Sequence, residues 1–332
     1  MYLLVSTPVH ILLVEPFLRE VTLLRTVDGY YYGITHKNGT IVLTHTAGYL
    51  EYFNRGFGSI QTIDHLIQPH QAEWVEDQVL VANTGHNCIS IFDSSGNLCR
   101  DVYLNEIKKD DKYRGQRGNH FNSVHRIGDR VFVIAHNYEK PSEVYELSWP
   151  ELEIVGVKTT RAMGAHNLWV GEWGMVICDS ENGGLYNVDS GEIFWQSKED
   201  GVMTRGLAVS PEYIFIGCSR HFSRAHRYWS TGGLWIMDRK TLKTVEKINF
   251  PGSGDVHEIR IIGMLDECHN EEIIPLEILP SLRKASAVVD FAYWVRKTFP
   301  LFRRNVLPLS FVVKSAKMTV RWKRSIKRVL TR

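Results

Sequence analysis

One phrase recurs along this 332-residue chain, and its spacing constrains the fold more than any other feature. HQAEWVEDQVLVANT (70–84) matches NSVHRIGDRVFVIAH (122–136). The same frame returns in HNLWVGEWGMVICD (166–179), RGLAVSPEYIFIGCS (205–219) and HEIRIIG (257–263), with YGITHKNGTIVLTHT (32–46) upstream. Successive starts are 38, 52, 44, 39 and 52 residues apart, and His166 falls one residue late in the frame. Each unit holds alternating apolar residues, a tight turn and a β-rich run. A second strand pair follows in SIFDSSGNL, VYELSWPEL, LYNVDSGEI and LWIMDRKTL. Four strands per period of roughly 40–50 residues mark a β-propeller. A lone four-stranded sheet cannot bury both its faces, whereas sheets stacked around an axis bury one another's.

The units number six, so the expected fold is all-β, a six-bladed β-propeller over residues 1–269. The last unit has no outer strands after Gly263. The apolar N-terminal runs Tyr2–Val5 and His10–Glu15 are expected to supply them and close the ring, which removes an exposed edge. MYLLVSTPVHILLVEP has no basic leader and no small-residue cleavage site, so it reads as strand and not as signal peptide. No run of about 20 apolar residues suggests a transmembrane helix. The five cysteines are scattered with no C-x-x-C pair, which argues against a disulfide framework and for a reducing, cytoplasmic setting.

After Asn270 the pattern breaks. Leu282, Ala285, Val289 and Ala292 fall at helical spacing, and SAKMTVRWKRSIKRVLTR reads as a short basic helix capped by Ser315. The expectation is a basic α-helical C-terminal extension over 270–332. The net charge of +2 hides a division: residues 281–332 carry 14 Lys and Arg against the single acid Asp290, which leaves the rest of the chain acidic. Basic residues interleaved with Trp294, Phe299, Phe302, Phe311 and Trp322 suit an anionic membrane surface or an acidic protein surface. Nucleic acid ranks lower, because no recognised nucleic-acid module accompanies the tail.

The stretch from Thr204 to Gly263 resembles a bacterial propeller family of unknown function. The likeness rests on T-R-G-L-A (204–208), the strand EYIFIGCS, GGLWIMDRKTLKTVEKINFPG and HEIRII, and covers about 60 residues clearly. It implies the fold and brings no activity. The insert HFSRAHRYWST and the basic tail depart from that family.

In a propeller the loop entering each inner strand and the loop between the second and third strands open on one face. Here those loops are the long polar ones (84–87, 108–121, 136–142, 179–184 and 219–233), so that face is where function is expected. The residues opening the six inner strands are Tyr32, His70, Asn122, His166, Arg205 and His257. His70, His166 and His257 alternate around the axis, and three imidazoles with open positions suit a divalent zinc, iron or manganese ion. A polar mouth filled by water is the alternative. Arg205, Arg220, Arg224 and Arg117 form a cationic set beside Tyr228, Trp229, Asn122 and Tyr32, fit for an anionic small molecule or glycan. His86, His136 and Asp179 stand on the same face as acid–base candidates, with Asp179 and Glu181 also natural turn residues. His125, mid-strand, reads as a packed histidine. P-loop, G-x-G-x-x-G, nucleophile-elbow and H-E-x-x-H motifs do not occur. Two functions follow: a metal-assisted hydrolase, lyase or isomerase acting on an anionic small molecule or glycan, or a non-catalytic glycan- or protein-binding propeller recruited to a membrane surface by its basic tail.

Overall fold

A computed structural model describes residues 1–26, 31–54, 57–63, 65–106, 118–221, 230–269, 272–280 and 282. It shows six four-stranded antiparallel sheets. Blade one comprises Tyr31–Lys37, Thr40–His45, Tyr49–Asn54 and Phe57–Thr62, from inside outwards. Blade two follows with Pro69–Val75, Gln78–Asn83, Cys88–Asp93 and Leu98–Val102, and blade three with Phe121–Ile127, Arg130–Ala135, Pro141–Ser148 and Ile154–Met163. Blade four runs His166–Gly171, Gly174–Asp179, Gly184–Asn187 and Glu192–Gln196, and blade five Val202–Val209, Tyr213–Arg220, Gly232–Asp238 and Thr244–Phe250. The six inner strands touch one another in a closed circle.

The sixth blade joins the chain ends. Its inner strand is Glu258–Ile262, and its other strands are Tyr2–Ser6, His10–Glu15 and Glu20–Thr26. Tyr2 pairs with Ile262 and Ser6 with Glu258, so the closure is a full antiparallel register. The N-terminal runs therefore close the ring as their sequence implied, and they bring a third strand, Glu20–Thr26, which forms the exposed outer edge.

Six apolar clusters fill the seams between blades, one per seam. Side chains alternate across each strand, so one strand feeds two seams. Ile214 and Ile216 face blade four while Phe215, between them, faces blade six. Ile41 and Leu43 face blade six while Val42 faces blade two. This is why the second strands read as nearly continuous apolar runs (QVLVAN, RVFVIA, YIFIGCSR). All five cysteines are free; Cys178, Cys218 and Cys268 pack in the seam of blades four and five as small hydrophobes.

The chain after the last inner strand does two jobs. Asp266 accepts backbone N–H groups from Val209 (3.2 Å), Ile261 (3.3 Å) and Cys268 (3.2 Å), which tethers the segment to two blades and buries His269 against His125. Residues 272–282 then strap the closing seam. Ile274 bridges to Ile262, and Ile274, Ile278, Leu279 and Leu282 join the cluster between blades six and one. The helical extension expected over 270–332 is not supported in the described part: residues 272–280 and 282 carry one 3-10 turn, Leu276–Ile278, with helical backbone at Leu279, Pro280 and Leu282 alone, and the rest of that expectation lies outside the described residues.

Candidate functional site

Tyr32, His70, Asn122, His166, Arg205 and His257 all line one cavity at the mouth of the axial channel; five lie within one residue of the start of an inner strand, but Arg205 is the fourth residue of Val202–Val209 and does not open it as the sequence suggests. Its interior room is about 10 Å³, enough for roughly one water, and its mouth is open to solvent. Four further residues complete its wall: Gln71, Ser123, Asn167 and Glu258. Each of these follows an opening residue directly. In a regular strand the follower points to the other face. Here, in five of the six inner strands, the pairing register slips at this point, between Tyr31 and Ile34, Pro69 and Ala72, Phe121 and Ser123, His166 and Leu168, and Thr204 and Leu207. A bulge re-aims side chains and leaves residues unpaired, so two consecutive residues reach the axis. Asn167 (φ 47°) and Gly206 (φ 82°) hold the left-handed backbone this requires in blades four and five. Gly217, facing the blade-five bulge, is bare for the same reason: a Cβ there would lie 2.0 Å from the Arg205 carbonyl oxygen. Hydrogen bonds then lace the bulges together. The Asn167 N–H donates to Ser123 Oγ (3.1 Å), the Gly206 N–H to Asn167 Oδ1 (2.7 Å), and Asn167 Nδ2 to Glu258 Oε1 (3.2 Å).

Tyr32 organises one side of the cavity. Its ring stacks on His70 at 4.0 Å and on His257 at 4.3 Å, and the Arg205 guanidinium lies over it at 4.8 Å. A cation over a phenol face is attracted by the ring quadrupole, which fixes the guanidinium plane. Histidines continue the arc. His120 meets His70 (4.9 Å) and His136 (5.0 Å), and His136 meets His166 (5.5 Å). Nδ1 of His70 lies 2.9 Å from the Gln68 carbonyl and 2.8 Å from Thr84 Oγ1; Nδ1 of His257 lies 2.7 Å from the Tyr31 carbonyl. A carbonyl can only accept, so in the neutral rings the proton sits on Nδ1 and Nε2 carries the lone pair. His166 Nδ1 bonds Ser180 Oγ at 2.9 Å. Burial first, then the Arg205 charge, holds His166 well below the usual histidine range, so it is neutral at pH 7.

The other sequence candidates are placed elsewhere. His86 stacks on His65 (4.9 Å) outside the cavity wall. His136 stands behind His166. Asp179 accepts the Met163 N–H (2.8 Å) and both hydrogen bonds of Asn182 Nδ2 (3.0 and 2.9 Å), which makes it a turn anchor. Burial raises its carboxyl above the ordinary range while these donors pull it back. All three lie at the loop between second and third strands, one strand further from the axis than the openers. Arg220 is exposed at a strand end and does not line the cavity. Arg117, Arg224, Tyr228 and Trp229 lie outside the described residues.

Among the described residues, only Glu73, His125 and His269 gather three such ligand atoms within 4.8 Å of one another. This cluster lies deeper in the channel, beside Arg260, whose Nη2 is 3.9 Å from Glu73 Oε2. The Leu168 N–H donates to His125 Nε2 (3.2 Å), so the neutral ring keeps its proton on Nδ1 and has no lone pair left for a cation.

No protein-family model matches the chain, and no curated protein matches it in sequence. Solved structures do match in fold. A protein of unknown function from Bacteroides caccae superposes with a TM-score of 0.58 at 14% identity, over 78% of this chain and 97% of that one. A chain of the nidogen/laminin complex superposes with a TM-score of 0.58 at 9% identity, over 78% and 97%. At these identities the likeness is one of fold, and function must be argued from the site.

Proposed function

We propose that the channel mouth binds a small anionic molecule, and that its imidazoles perform acid–base chemistry on it, as a hydrolase, lyase or isomerase does. One observation supports this reading above the rest: six residues from six different blades converge on one cavity, with a buried guanidinium among them. Arg205 is 6% exposed, and a planar fork held against Tyr32 is preorganised for a carboxylate or phosphate. His70 and His257, with Nδ1–H held by backbone carbonyls, present Nε2 as the basic nitrogen, and His166 stays neutral as a hydrogen-bonding partner. In the non-catalytic form of the reading the same mouth holds a glycan or a partner protein, and the basic segment 281–332 brings the acidic propeller to an anionic membrane surface.

The test is isothermal titration of wild type and Arg205→Gln with acetate, gluconate and inorganic phosphate. At least one anion binds wild type, and the variant loses roughly 10–100-fold in affinity, the worth of a charge-assisted hydrogen bond. Equal affinity in both proteins overturns the reading.

A second reading places a divalent zinc, iron or manganese ion on His70, His166 and His257. What favours it is the Nδ1-to-carbonyl bond of His70 and of His257, the outer contact that orients metal-ligating histidines. Against it stand the Tyr32 ring stacked on both and the spread of the three imidazoles, whose ligand atoms do not gather within 4.8 Å of one another. On this reading, untagged protein carries close to one ion per chain, lost in His166→Ala; metal-free wild type refutes it.

A further inference from the structure

Resting on the anion-site reading above, we propose that the bound molecule is a hydroxylated monocarboxylate, the acid end of a sugar acid or related hydroxy acid, with its carboxylate on Arg205 and a hydroxyl donating to Glu258. The cavity wall carries one cation and one carboxylate among the described residues, and both are buried, Arg205 at 6% and Glu258 at 2% exposure. A single guanidinium fork matches a single carboxylate. A phosphate dianion would bring a second negative charge into the same narrow space as Glu258, where like charges repel without solvent to screen them.

Glu258 is itself held in place. Asn167 Nδ2 (3.2 Å) and Arg260 Nη1 (3.3 Å) both donate to Oε1. Arg260 lies behind it but is shared with Glu73, so Glu258 keeps negative charge toward the cavity and suits a neutral donor, of which a hydroxyl is the simplest. The rest of the wall agrees. Gln71, Asn122, Ser123 and Asn167 offer amides and a hydroxyl, and among the described residues no aliphatic side chain lines the cavity. Such a wall can satisfy a carboxylate and its neighbouring hydroxyl while the rest of the ligand stays in solvent at the open mouth, whereas an alkyl group would strip water from these polar groups and give nothing back.

Isothermal titration of the full chain with four probes tests this. Gluconate has the carboxylate and the hydroxyls; hexanoate has the carboxylate alone; glucose has the hydroxyls alone; glucose 6-phosphate replaces the acid by a dianion. Gluconate is expected to bind wild type at least about tenfold more tightly than each of the others. In Glu258→Gln its preference over glucose 6-phosphate is expected to shrink by roughly tenfold. Hexanoate or glucose 6-phosphate binding wild type as tightly as gluconate, or an unchanged preference in the variant, overturns the assignment and leaves the anion site standing. If none of the anions binds, the anion site fails and the assignment falls with it.

Discussion

A chain lacking residues 1–26 is expected not to fold. Those residues provide three of the four strands of blade six and leave its inner strand, Glu258–Ile262, without an antiparallel partner. The loss reaches both neighbouring seams. Leu4, Ile11, Leu13 and Leu24 pack against blade one, and Leu3, Val5, Leu12 and Val14 against blade five, all at most 3% exposed. At roughly 1.5–3 kcal/mol per buried side chain, these eight contribute about 12–24 kcal/mol. A typical domain has about 5–15 kcal/mol of net stability to lose. The opened ring would also present two unpaired sheet edges. Circular dichroism during urea titration should show no cooperative transition for the truncated chain; a sharp transition near that of the full chain would refute the closure.

Acid is expected to unfold the protein in a window set by its buried histidines. His125 is pushed down to about 3, by burial first and then by Arg260. His166 and His269 are held well below their ordinary range, burial leading in both. In the unfolded chain each takes up a proton near pH 6.5, and in the folded chain none does until far lower. The unfolded state therefore binds more protons below that point, and stability is lost as pH falls through it. Asp266 works the other way. Burial raises it to about 7, so the folded state keeps a proton there that the unfolded chain releases down to about pH 3.9. Three histidines against one carboxyl leave more protons on the unfolded chain between about pH 6 and 4.5, so stability falls as pH falls there. His36, lowered by burial, adds to the slope; Glu51 and Asp179, raised by burial, take from it. Urea midpoints should fall steadily from pH 7 to pH 5. A flat or rising midpoint across that range would contradict the assignment of neutral buried histidines.

How far the sequence carries such an account depends on the kind of order involved. Blade count and ring closure were readable because both faces of each second strand are buried, and runs such as QVLVAN cannot be hidden in any other way. The third N-terminal strand, Glu20–Thr26, is not legible in the sequence, because its alternation is half polar and the edge it completes is exposed. Five of the lining residues are legible because a strand that begins at a loop mouth shows its first side chains there, whereas Arg205, three residues into Val202–Val209, reaches the axis at a bulge. Gln71, Ser123, Asn167 and Glu258 escaped notice because period-two alternation sends them to the opposite face, and only a register slip turns most of them inward. The one cue was Gly206 after Arg205, a glycine where the left-handed backbone is needed. His86, His136 and Asp179 share a face with the openers, yet sequence distance says nothing of how far a loop stands from the axis. His125, read as packed, stacks on His269 at 5.3 Å and accepts the Leu168 N–H, and its partner comes from a segment more than a hundred residues away.

The central claim is that the channel mouth is an anion site, and histidine side-chain ¹⁵N NMR addresses it at the atoms concerned. The protein would be titrated with gluconate and, separately, with inorganic phosphate. The account predicts that the imidazole resonances of His70, His166 and His257 move saturably in wild type with at least one of these anions and stay still in Arg205→Gln. Those of His65 and His86, which lie outside the cavity wall, should not move. Unmoved resonances from the three cavity histidines, or equal movement across all five, would contradict it.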